Sequence, residues 1–417
     1  MSLSVDRLSS GSLRQVLSAY DLVFLIALIW FMVQFLRYVF PPLFGTFQAS
    51  YGVSNTQTGL MFSLLMFGYS AMQFPGGLLA DRYHEVTVLV GGAVVFTFAA
   101  VCVFFAPTFT LLTVAAVGIG IGTGVHKTVA VPYLSRMYPD RTGLSLGIMD
   151  TIGQFGGMCA PIVVVIFLRS VFPWRTVFLL GALVSALLAA LLLYRAHPSK
   201  LERRHGHEAV DNTPATDQDG GEEPDEDEST AAGSYLTIFA DRNLLAFLLV
   251  TMLFTFAWNG LSAFFPLFLV DEKGLSPGLA GIAYSLLFAA SLSQMVTGSA
   301  SDTVGKPAIS LVLFVGMILG LSALIATSSV VLIFGLTILT GIGFHGFRPV
   351  RDAYLMDLIP SSIGGGTFGI VRTGMTATGG IAPSVIGLVS DLFGYTVAFG
   401  LIVCALVCGL GLLVVLR

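Results

Sequence analysis

The sequence predicts an all-α membrane protein with twelve transmembrane helices, arranged as two pseudo-symmetric six-helix bundles. Composition is the first indication: 55% of the residues are hydrophobic, only 11% are charged, and the mean hydropathy is +0.88. These values lie far outside the balance of an ordinary soluble domain. Apolar runs of membrane-spanning length and an internal repeat are the other two indications.

The apolar runs recur along the chain, and each is long enough to cross a bilayer. Irregular backbone cannot face lipid, and a β-barrel would give alternating rather than continuous apolar segments, so these runs are predicted to be helices. Labelled α1 to α12 in chain order, the predicted helices cover residues 21–45, 54–80, 87–106, 110–134, 143–168, 172–195, 243–270, 277–301, 307–327, 329–353, 365–389 and 393–416.

The second half of the chain repeats the plan of the first. Three residues of α2 recur at the same four-residue steps in α8: Gln73, Gly77 and Asp81 match Gln294, Gly298 and Asp302. Further matches follow in the same order at offsets of roughly 221 to 224 positions. In a chain this apolar, such a repeat is typical of a transporter built from two related bundles, here residues 1–195 and 242–417.

Residues 196–241, between the two halves, form a polar segment rich in acidic residues, including Glu222, Glu223 and the run 225–228. Such a composition cannot bury enough apolar surface to form a core, so we predict a disordered cytoplasmic linker. The alternative is a docking segment for a regulator. The net charge of the chain, −4, comes mostly from this linker and indicates little about a solute.

Basic residues of the predicted loops are concentrated on one side of the membrane. That side includes Arg82 and Arg136, whereas the opposite side has only Arg169, Arg175 and Lys273. Cytoplasmic loops carry an excess of Lys and Arg, so the basic side is predicted to be cytoplasmic. Both termini then lie in the cytoplasm, and the protein is expected in the cell membrane.

The junction between α2 and α3 carries a recognisable motif. The segment from Gly77 to Asp81 and Arg82 resembles the cytoplasmic loop signature of the major facilitator superfamily, Gly-x-x-x-Asp-Arg/Lys-x-Gly. The second half has its own copy, which includes Asp302 and ends at Lys306. Two copies at equivalent places of the repeat make a chance match improbable. The resemblance covers almost the whole chain except the linker and the first residues.

The resemblance implies alternating access, in which two bundles rock about a central site. Asp81 would then lie against the positive N-terminus of α11, with Arg372 as a further partner, and hold the cytoplasmic side shut. Asp302 would do the same toward α5. The alternative is that both are solvated turn residues. The first copy departs from the family pattern at His84 and Glu85, where glycine and basic residues are usual.

Seven charged residues of the predicted helices lie away from the ends most exposed to water and are interpreted as intramembrane charges. A charge at the centre of a bilayer costs roughly 2.5 to 3.5 kcal/mol on insertion scales, so its presence there indicates a function. Five of the seven are basic and two are acidic: Arg37, Lys127, Arg348, Arg351, Arg372, Asp150 and Asp352. This surplus of positive charge favours an anionic substrate.

Arg37 lies deep in the apolar run 30–44 of α1. A guanidinium group binds a carboxylate or phosphate through two parallel hydrogen bonds. Its position, with Tyr69 nearby in α2, resembles the anion:cation symporters and organophosphate antiporters of the superfamily, which implies substrate binding. The alternative is a structural arginine paired with a carboxylate or with carbonyls. Organophosphate antiporters usually have a second arginine in α7, where this chain has Trp258 and Asn259, so a carboxylate is favoured over a phosphate ester.

Lys127 in α4 and Arg348 in α10 are equivalent in the repeat, and the resemblance implies that both line the cavity. An alternative for Arg348 is a neutralising pair with Asp352, four residues later on the same helical face. Arg351 is near enough to the cytoplasmic end to reach only the headgroups. His126 precedes Lys127, and an imidazole titrates in the range useful for proton coupling, although a lone histidine is more often a hydrogen-bonded filler.

Asp150 in α5 and Arg372 in α11 are also equivalent in the repeat. An ionised carboxylate in a low-dielectric bundle is unfavourable without a partner, so protonation of Asp150 is predicted to follow the transport cycle. This would make Asp150 the proton carrier. The alternative is a permanent salt bridge with Lys127 or Arg141.

These observations predict a secondary transporter that moves a small organic anion, such as a carboxylate, with protons or another cation. One alternative is a proton-driven exporter of drugs or metabolites, because α5 follows the spacing of a signature associated with drug:proton antiporters at Gly147, Gly156, Ala160 and Pro161. Small residues at these positions also permit close helix packing. A non-transporting membrane sensor of the same fold is the other alternative.

The sequence contains no nucleotide-binding loop, nucleophile elbow or cluster of metal ligands, so an enzyme, a cofactor and a metal are not predicted. The expected partners are a small solute, its coupling ion and the lipid bilayer, with no nucleic acid. A monomer is expected.

Overall fold

The computed structural model describes residues 21–195, 242–358 and 364–416, and for residues 364–373 it describes the backbone only. These residues are helical almost throughout, as predicted, and contain no strand. The acidic linker, residues 196–241, lies outside them, so its predicted disorder stays a prediction.

The observed helices follow the predicted ones closely, and the largest difference is at the end of α1, which runs to Tyr51. Their bounds are Asp21–Tyr51 for α1, Asn55–Ala71 and Gln73–Tyr83 for α2, Glu85–Phe104 for α3, Phe109–Met137 for α4, Pro139–Arg169 for α5, Thr176–Arg195 for α6, Arg242–Asp271 for α7, Pro277–Val304 for α8, Lys306–Ala326 for α9, Val330–Leu358 for α10, Gly364–Phe393 for α11 and Tyr395–Val415 for α12.

In the described part of the chain, 11 helices are long and apolar enough to cross a membrane. The twelfth is α2, which a break at Met72 divides into pieces of 17 and 11 residues. The equivalent helix α8 is interrupted in the matching place by a 3-10 turn at Ala290–Leu292. Both interruptions lie beside the repeated glutamine, Gln73 in α2 and Gln294 in α8.

Two helix pairs hold the halves together, α2 with α11 and α5 with α8. Glycines permit the close approach of α2 and α11. A Cβ atom at Gly59 would lie 2.3 Å from the carbonyl oxygen of Pro383, and one at Gly387 would lie 2.4 Å from that of Asn55. Small residues let helix backbones approach in this way. We call this end of the bundle, marked by Asn55 and Asp391, the closed end.

Hydrogen bonds also join the two halves at the closed end. The carboxylate of Asp391 in α11 accepts from the backbone amides of Asn55 at 3.1 Å and Thr56 at 2.7 Å, and from the Thr56 hydroxyl at 2.6 Å. It therefore caps the N-terminus of α2, where unpaired N–H groups and the helix dipole favour negative charge. The Tyr395 hydroxyl adds a hydrogen bond to Asn55 Oδ1 at 2.9 Å.

The opposite end carries both copies of the repeated motif, marked by Asp81 and Asp302, and we call it the motif end. The pairs that Glu85 and Lys306 form at this end each lie within one half, and Asp81 and Asp302 are exposed. The hydrogen bonds described between the halves thus lie at the closed end. Alternating access requires conformations with this asymmetry.

In each half an ion pair at the motif end joins the start of the third helix to the end of the fourth. Glu85 pairs with Arg136 in the first half, and Lys306 pairs with Asp357 at 2.5 Å in the second. The positions are equivalent in the repeat, but the charges are exchanged. Glu85, which departs from the family pattern, therefore has a cationic partner in its own half.

Candidate functional site

A polar cavity of about 510 Å³ lies between the two halves. Its walls come from α1, α2, α4 and α5 of the first half and from α7, α8, α10 and α11 of the second. Gln73, Gln294 and Leu355 line it toward the motif end, whereas the contacts of Asn55 and Asp391 shut the other end. The cavity is therefore accessible from the motif end.

Arg37 of α1 lies in the cavity wall and is only 7% exposed. Its guanidinium carbon lies 4.2 Å from the centroid of the Tyr69 ring and 5.6 Å from that of Tyr38. Nε and Nη1 make no hydrogen bond to the described residues. The predicted alternative, a pair with a carboxylate, does not occur among them either. Because buried donors are normally satisfied, a buried guanidinium with unpartnered nitrogens is a candidate for binding an anion.

Lys127 of α4 and Asp150 of α5 face each other across the cavity wall. The Lys127 ammonium donates to both carboxylate oxygens of Asp150, at 3.0 and 3.2 Å. The salt bridge predicted as one alternative for Asp150 is thus present in this conformation. The Asp150 side chain is 46% exposed, so the pair is accessible to solvent and to protons. The two charges cancel within the cavity.

Arg348 does not pair with Asp352, so the predicted neutralising pair on one face of α10 is wrong. Asp352 instead accepts from the neighbouring Arg351, whose Nη2 lies 2.7 Å from Oδ1. The guanidinium of Arg348 lies over the ring of Trp258 in α7, with its carbon 4.7 Å from the ring centroid. Stacking on α7 thus orients Arg348, and Arg351 lines the cavity rather than the membrane surface.

The structure places three more of the predicted binding residues in the cavity wall, Trp258, Asn259 and Tyr69. Asn259 Nδ2 donates to the backbone carbonyl of Thr255 at 3.0 Å, which fixes the amide group against α7. Their contact with a substrate stays a prediction.

Several cavity residues were not predicted as site residues from the sequence, among them Trp30, Tyr38, Gln73 and Gln294. A signal for the two glutamines exists, because they open the repeated segments of α2 and α8. Trp30 and Tyr38 carry no such signal, since aromatic residues are frequent in apolar helices. Both contact cations: Lys127 lies 5.7 Å from the Trp30 ring centroid, and Tyr38 lies beside Arg37.

His126 lies behind the cavity wall rather than in it. The side chain is 2% exposed, and its ring stacks on Trp30 with centroids 5.5 Å apart and an interplanar angle of 4°. Trp30 therefore separates it from the cavity. The predicted coupling role of His126 remains a prediction.

The predicted gating residues of the first motif copy are exposed at the motif end. Asp81 makes no hydrogen bond or ion pair with the described residues, and Arg82 stacks on the adjacent Tyr83 ring at 5.6 Å. A Cβ atom at Gly77 would meet nothing within 4 Å, so this conformation does not require a glycine there. The side chain of Arg372 lies outside the described residues, and its contact with Asp81 stays a prediction.

The second motif copy behaves similarly. Asp302 is exposed and does not contact the start of α5 in this conformation. Lys306 donates to Asp357 at the end of α10, within its own half. Neither residue links the halves here, as is expected when the motif end is open.

We expect Asp81→Asn to increase the fraction of molecules that are open at the motif end. A carboxylate at a helix N-terminus contributes about 1 kcal/mol, up to ~2 when partly buried, so the balance should move roughly five- to thirty-fold. Distances between spin labels on the motif ends of α2 and α11 should lengthen. Asp140→Asn, at another exposed carboxylate of the motif end, is the matched control. An unchanged distance distribution would make Asp81 only a solvated turn residue.

We expect Asp391→Asn to increase the fraction of molecules that are open at the closed end, because the hydrogen bonds of Asp391 join the two halves there. Asparagine keeps an acceptor oxygen but loses the negative charge at the helix N-terminus, which contributes about 0.3 to 1 kcal/mol, so the population open at the closed end should increase by roughly two- to fivefold. Labels at the exposed Leu60 and Leu392 would report longer distances. Glu272→Gln is the control, since Glu272 accepts a 2.6 Å hydrogen bond from Thr396 within one half. Equal distances in Asp391→Asn and the parent would contradict the role of the cap.

Comparison with known proteins agrees with this architecture. A family model described as Major Facilitator Superfamily matches residues 26–293 and 247–417. Among solved structures, a D-xylose-proton symporter has a TM-score of 0.76 at 14% identity. The alignment covers 94% of this chain and 97% of the symporter. A bacterial homolog to the human lysosomal transporter Spinster, in an inward-facing and occupied conformation, has a TM-score of 0.74 at 16% identity, covering 94% and 96%.

Curated relatives extend the likeness at the level of sequence. A probable sulfoacetate transporter of Cupriavidus necator is 25% identical over 82% of this chain and 80% of its own. A D-galactonate transporter of Escherichia coli is 23% identical over 84% of both chains. A probable galactarate/D-glucarate transporter of Bacillus subtilis is 24% identical over 83% and 80%.

Two related helical bundles around a polar cavity define a multi-pass membrane transporter rather than an enzyme. The chain belongs to the Major Facilitator Superfamily. The fold predicted from the sequence and the resemblance to this family are thus both confirmed.

Proposed function

We propose that this chain is a secondary active transporter that moves a small organic anion, such as a carboxylate, by alternating access. The observation that carries the proposal is Arg37, which is buried in the cavity wall and has no carboxylate partner among the described residues. A guanidinium group without a partner can bind the two oxygens of a carboxylate through two parallel hydrogen bonds. The relatives named for sulfoacetate, D-galactonate and galactarate support the same class of substrate.

Charge favours an anion over a cationic drug. Lys127 and Asp150 neutralise each other, as do Arg351 and Asp352. Among the described side chains, the remaining charged residues that line the cavity are both arginines. A cavity with a positive surplus concentrates anions and repels cations. This argues against the exporter of cationic compounds.

Coupling to protons would pass through the pair of Lys127 and Asp150. Protonation of Asp150 removes its negative charge and releases the Lys127 ammonium as a further donor for the anion. A bound anion in turn favours the protonated state of Asp150, because linkage between two binding events is reciprocal. Proton and anion would then be bound and released together.

The motif end would face the cytoplasm. Its loops hold most of the basic residues, and cytoplasmic loops carry such an excess. The cavity is therefore proposed to be open to the cytoplasm in this conformation, with the closed end at the outer face of the cell membrane. The acidic linker, residues 196–241, would lie on the cytoplasmic side.

Uptake into proteoliposomes tests the proposed function. Full-length protein would be offered labelled carboxylates, organophosphates and lipophilic cations, with and without an inward proton gradient. We expect saturable carboxylate uptake that the gradient stimulates, and a carboxylate-dependent rise in the unfolding temperature, since a ligand that binds the native state stabilises it. Saturable transport of the cations without any of the anions would overturn the proposal.

A further inference from the structure

Two arginines from opposite halves line the cavity without a carboxylate partner. Arg37 belongs to α1 and Arg348 to α10. In the described part of the chain neither forms an ion pair, whereas each of the other two cations in the cavity wall does. The cavity thus contains two separate uncompensated positive charges.

Aromatic stacking leaves both guanidinium groups able to bind anions. Arg37 lies over Tyr69 at 4.2 Å, and Arg348 lies over Trp258 at 4.7 Å. A ring that contacts the flat face of a guanidinium holds its plane in place. The N–H donors lie in that plane, so contact with the ring does not itself engage them, and they can still hydrogen-bond an anion.

A row of aromatic rings connects the two arginines across the boundary between the halves. Tyr38, beside Arg37, contacts Phe288 of α8 with ring centroids 4.5 Å apart. Phe288 contacts Trp258, beside Arg348, at 5.6 Å. The two cationic positions therefore lie at the ends of one continuous aromatic surface rather than in unrelated pockets.

We infer that the site recognises a dianion, with one anionic group at Arg37 and the other at Arg348. This rests on the proposed function and specifies its substrate as a dicarboxylate or a carboxylate with a second acidic group such as a sulfonate. A monoanion would leave one buried charge without a partner, which is unfavourable. A dianion satisfies both arginines and contacts both halves at once, so its binding favours the conformation in which they approach each other.

Matched pairs of anions test this inference on purified full-length protein. The probes are acetate and sulfoacetate, hexanoate and adipate, and galactonate and galactarate, each pair differing by one anionic group. Affinities would be measured by titration calorimetry. We expect at least one dianion to bind about tenfold or more tightly than its monoanionic partner, since one additional charged contact exceeds the 1.4 kcal/mol needed for a tenfold change.

Variants then assign the second anionic group. Arg348→Gln should remove the preference for the dianion while the affinity for the monoanion is retained. Arg37→Gln should weaken both members of a pair. Arg175→Gln, which alters an arginine outside the cavity lining that donates to Tyr51 and to the backbone of Ala106, is the matched control and should keep the preference. Unfolding temperatures and size-exclusion profiles establish that each variant is folded.

The outcomes separate this inference from the proposed function. Equal affinity for both members of every pair, or a preference that persists in Arg348→Gln, would contradict the inferred recognition of a dianion. Neither result would contradict the proposed transport of an organic anion. Failure of all six anions to bind the parent protein would count against both. A preference that Arg348→Gln abolishes and Arg175→Gln keeps would establish the inference.

Discussion

Arg37→Lys is expected to reduce anion uptake by about 30- to 150-fold, which corresponds to about 2 to 3 kcal/mol for a hydrogen bond to a charged group. Lysine keeps the positive charge but loses the planar fork that binds two carboxylate oxygens. It also loses the stack on Tyr69, which fixes the guanidinium plane. Initial rates of uptake into proteoliposomes, at equal amounts of reconstituted protein, would measure the effect.

Arg351→Lys provides a matched control for this substitution. Arg351 also lies in the cavity wall, but its guanidinium is engaged by Asp352. We expect its uptake to stay within about threefold of the parent, as for a partly exposed ion pair. Parental uptake by Arg37→Lys would remove the bidentate role, and uptake that also survives Arg37→Ala would remove the anion site itself.

The position of Arg37 was predictable from the sequence because a charge in an apolar run is conspicuous. The helices were predictable because their apolar runs are continuous. The two halves were predictable because the repeated residues recur in the same order at nearly constant offsets. The break in α2 at Met72 was missed. Its signal is Pro75, because proline has no N–H to bond to the carbonyl four residues earlier, that of Ala71, where the first piece of α2 ends.

The ion pairs of the cavity were less predictable than its residues. The spacing along α10 suggested an ion pair between Arg348 and Asp352. Instead, Arg348 stacks on Trp258 of α7, and Asp352 forms its ion pair with Arg351. A helical face allows an i, i+4 pair but does not require it. The side chain that Arg348 contacts is determined by the packing of a different helix, α7, and the sequence of α10 alone does not show this packing.

Contacts between distant segments were also missed. Asp391 caps the N-terminus of α2 although it lies 336 residues from Asn55 in the sequence. The start of α2 was visible locally, because Ser54 and Gln57 form a capping box. The additional carboxylate, that of Asp391 in the other half, was not visible in the local sequence. Glu85 is the converse case: its departure from the family pattern is explained only by its partner Arg136.

Asp150→Asn is expected to abolish accumulation driven by a pH gradient while exchange of internal for external anion continues. Asparagine cannot be ionised and so resembles a permanently protonated Asp150, with the Lys127 ammonium free to bind the anion. A carrier that moves one proton with a monoanion can accumulate it about tenfold per pH unit. In the variant, the ratio of internal to external anion should fall to about one.

Asp352→Asn is the control, because it makes the same chemical change at the other carboxylate of the cavity wall. We expect that variant to keep its response to the pH gradient, since Arg351 rather than Lys127 is its partner. Counterflow of labelled anion into preloaded liposomes would show that Asp150→Asn still binds and moves substrate. Accumulation that persists in Asp150→Asn would reject Asp150 as the proton carrier. His126→Gln would then be the next variant to test, because the ring of His126 stacks on Trp30 beside Lys127.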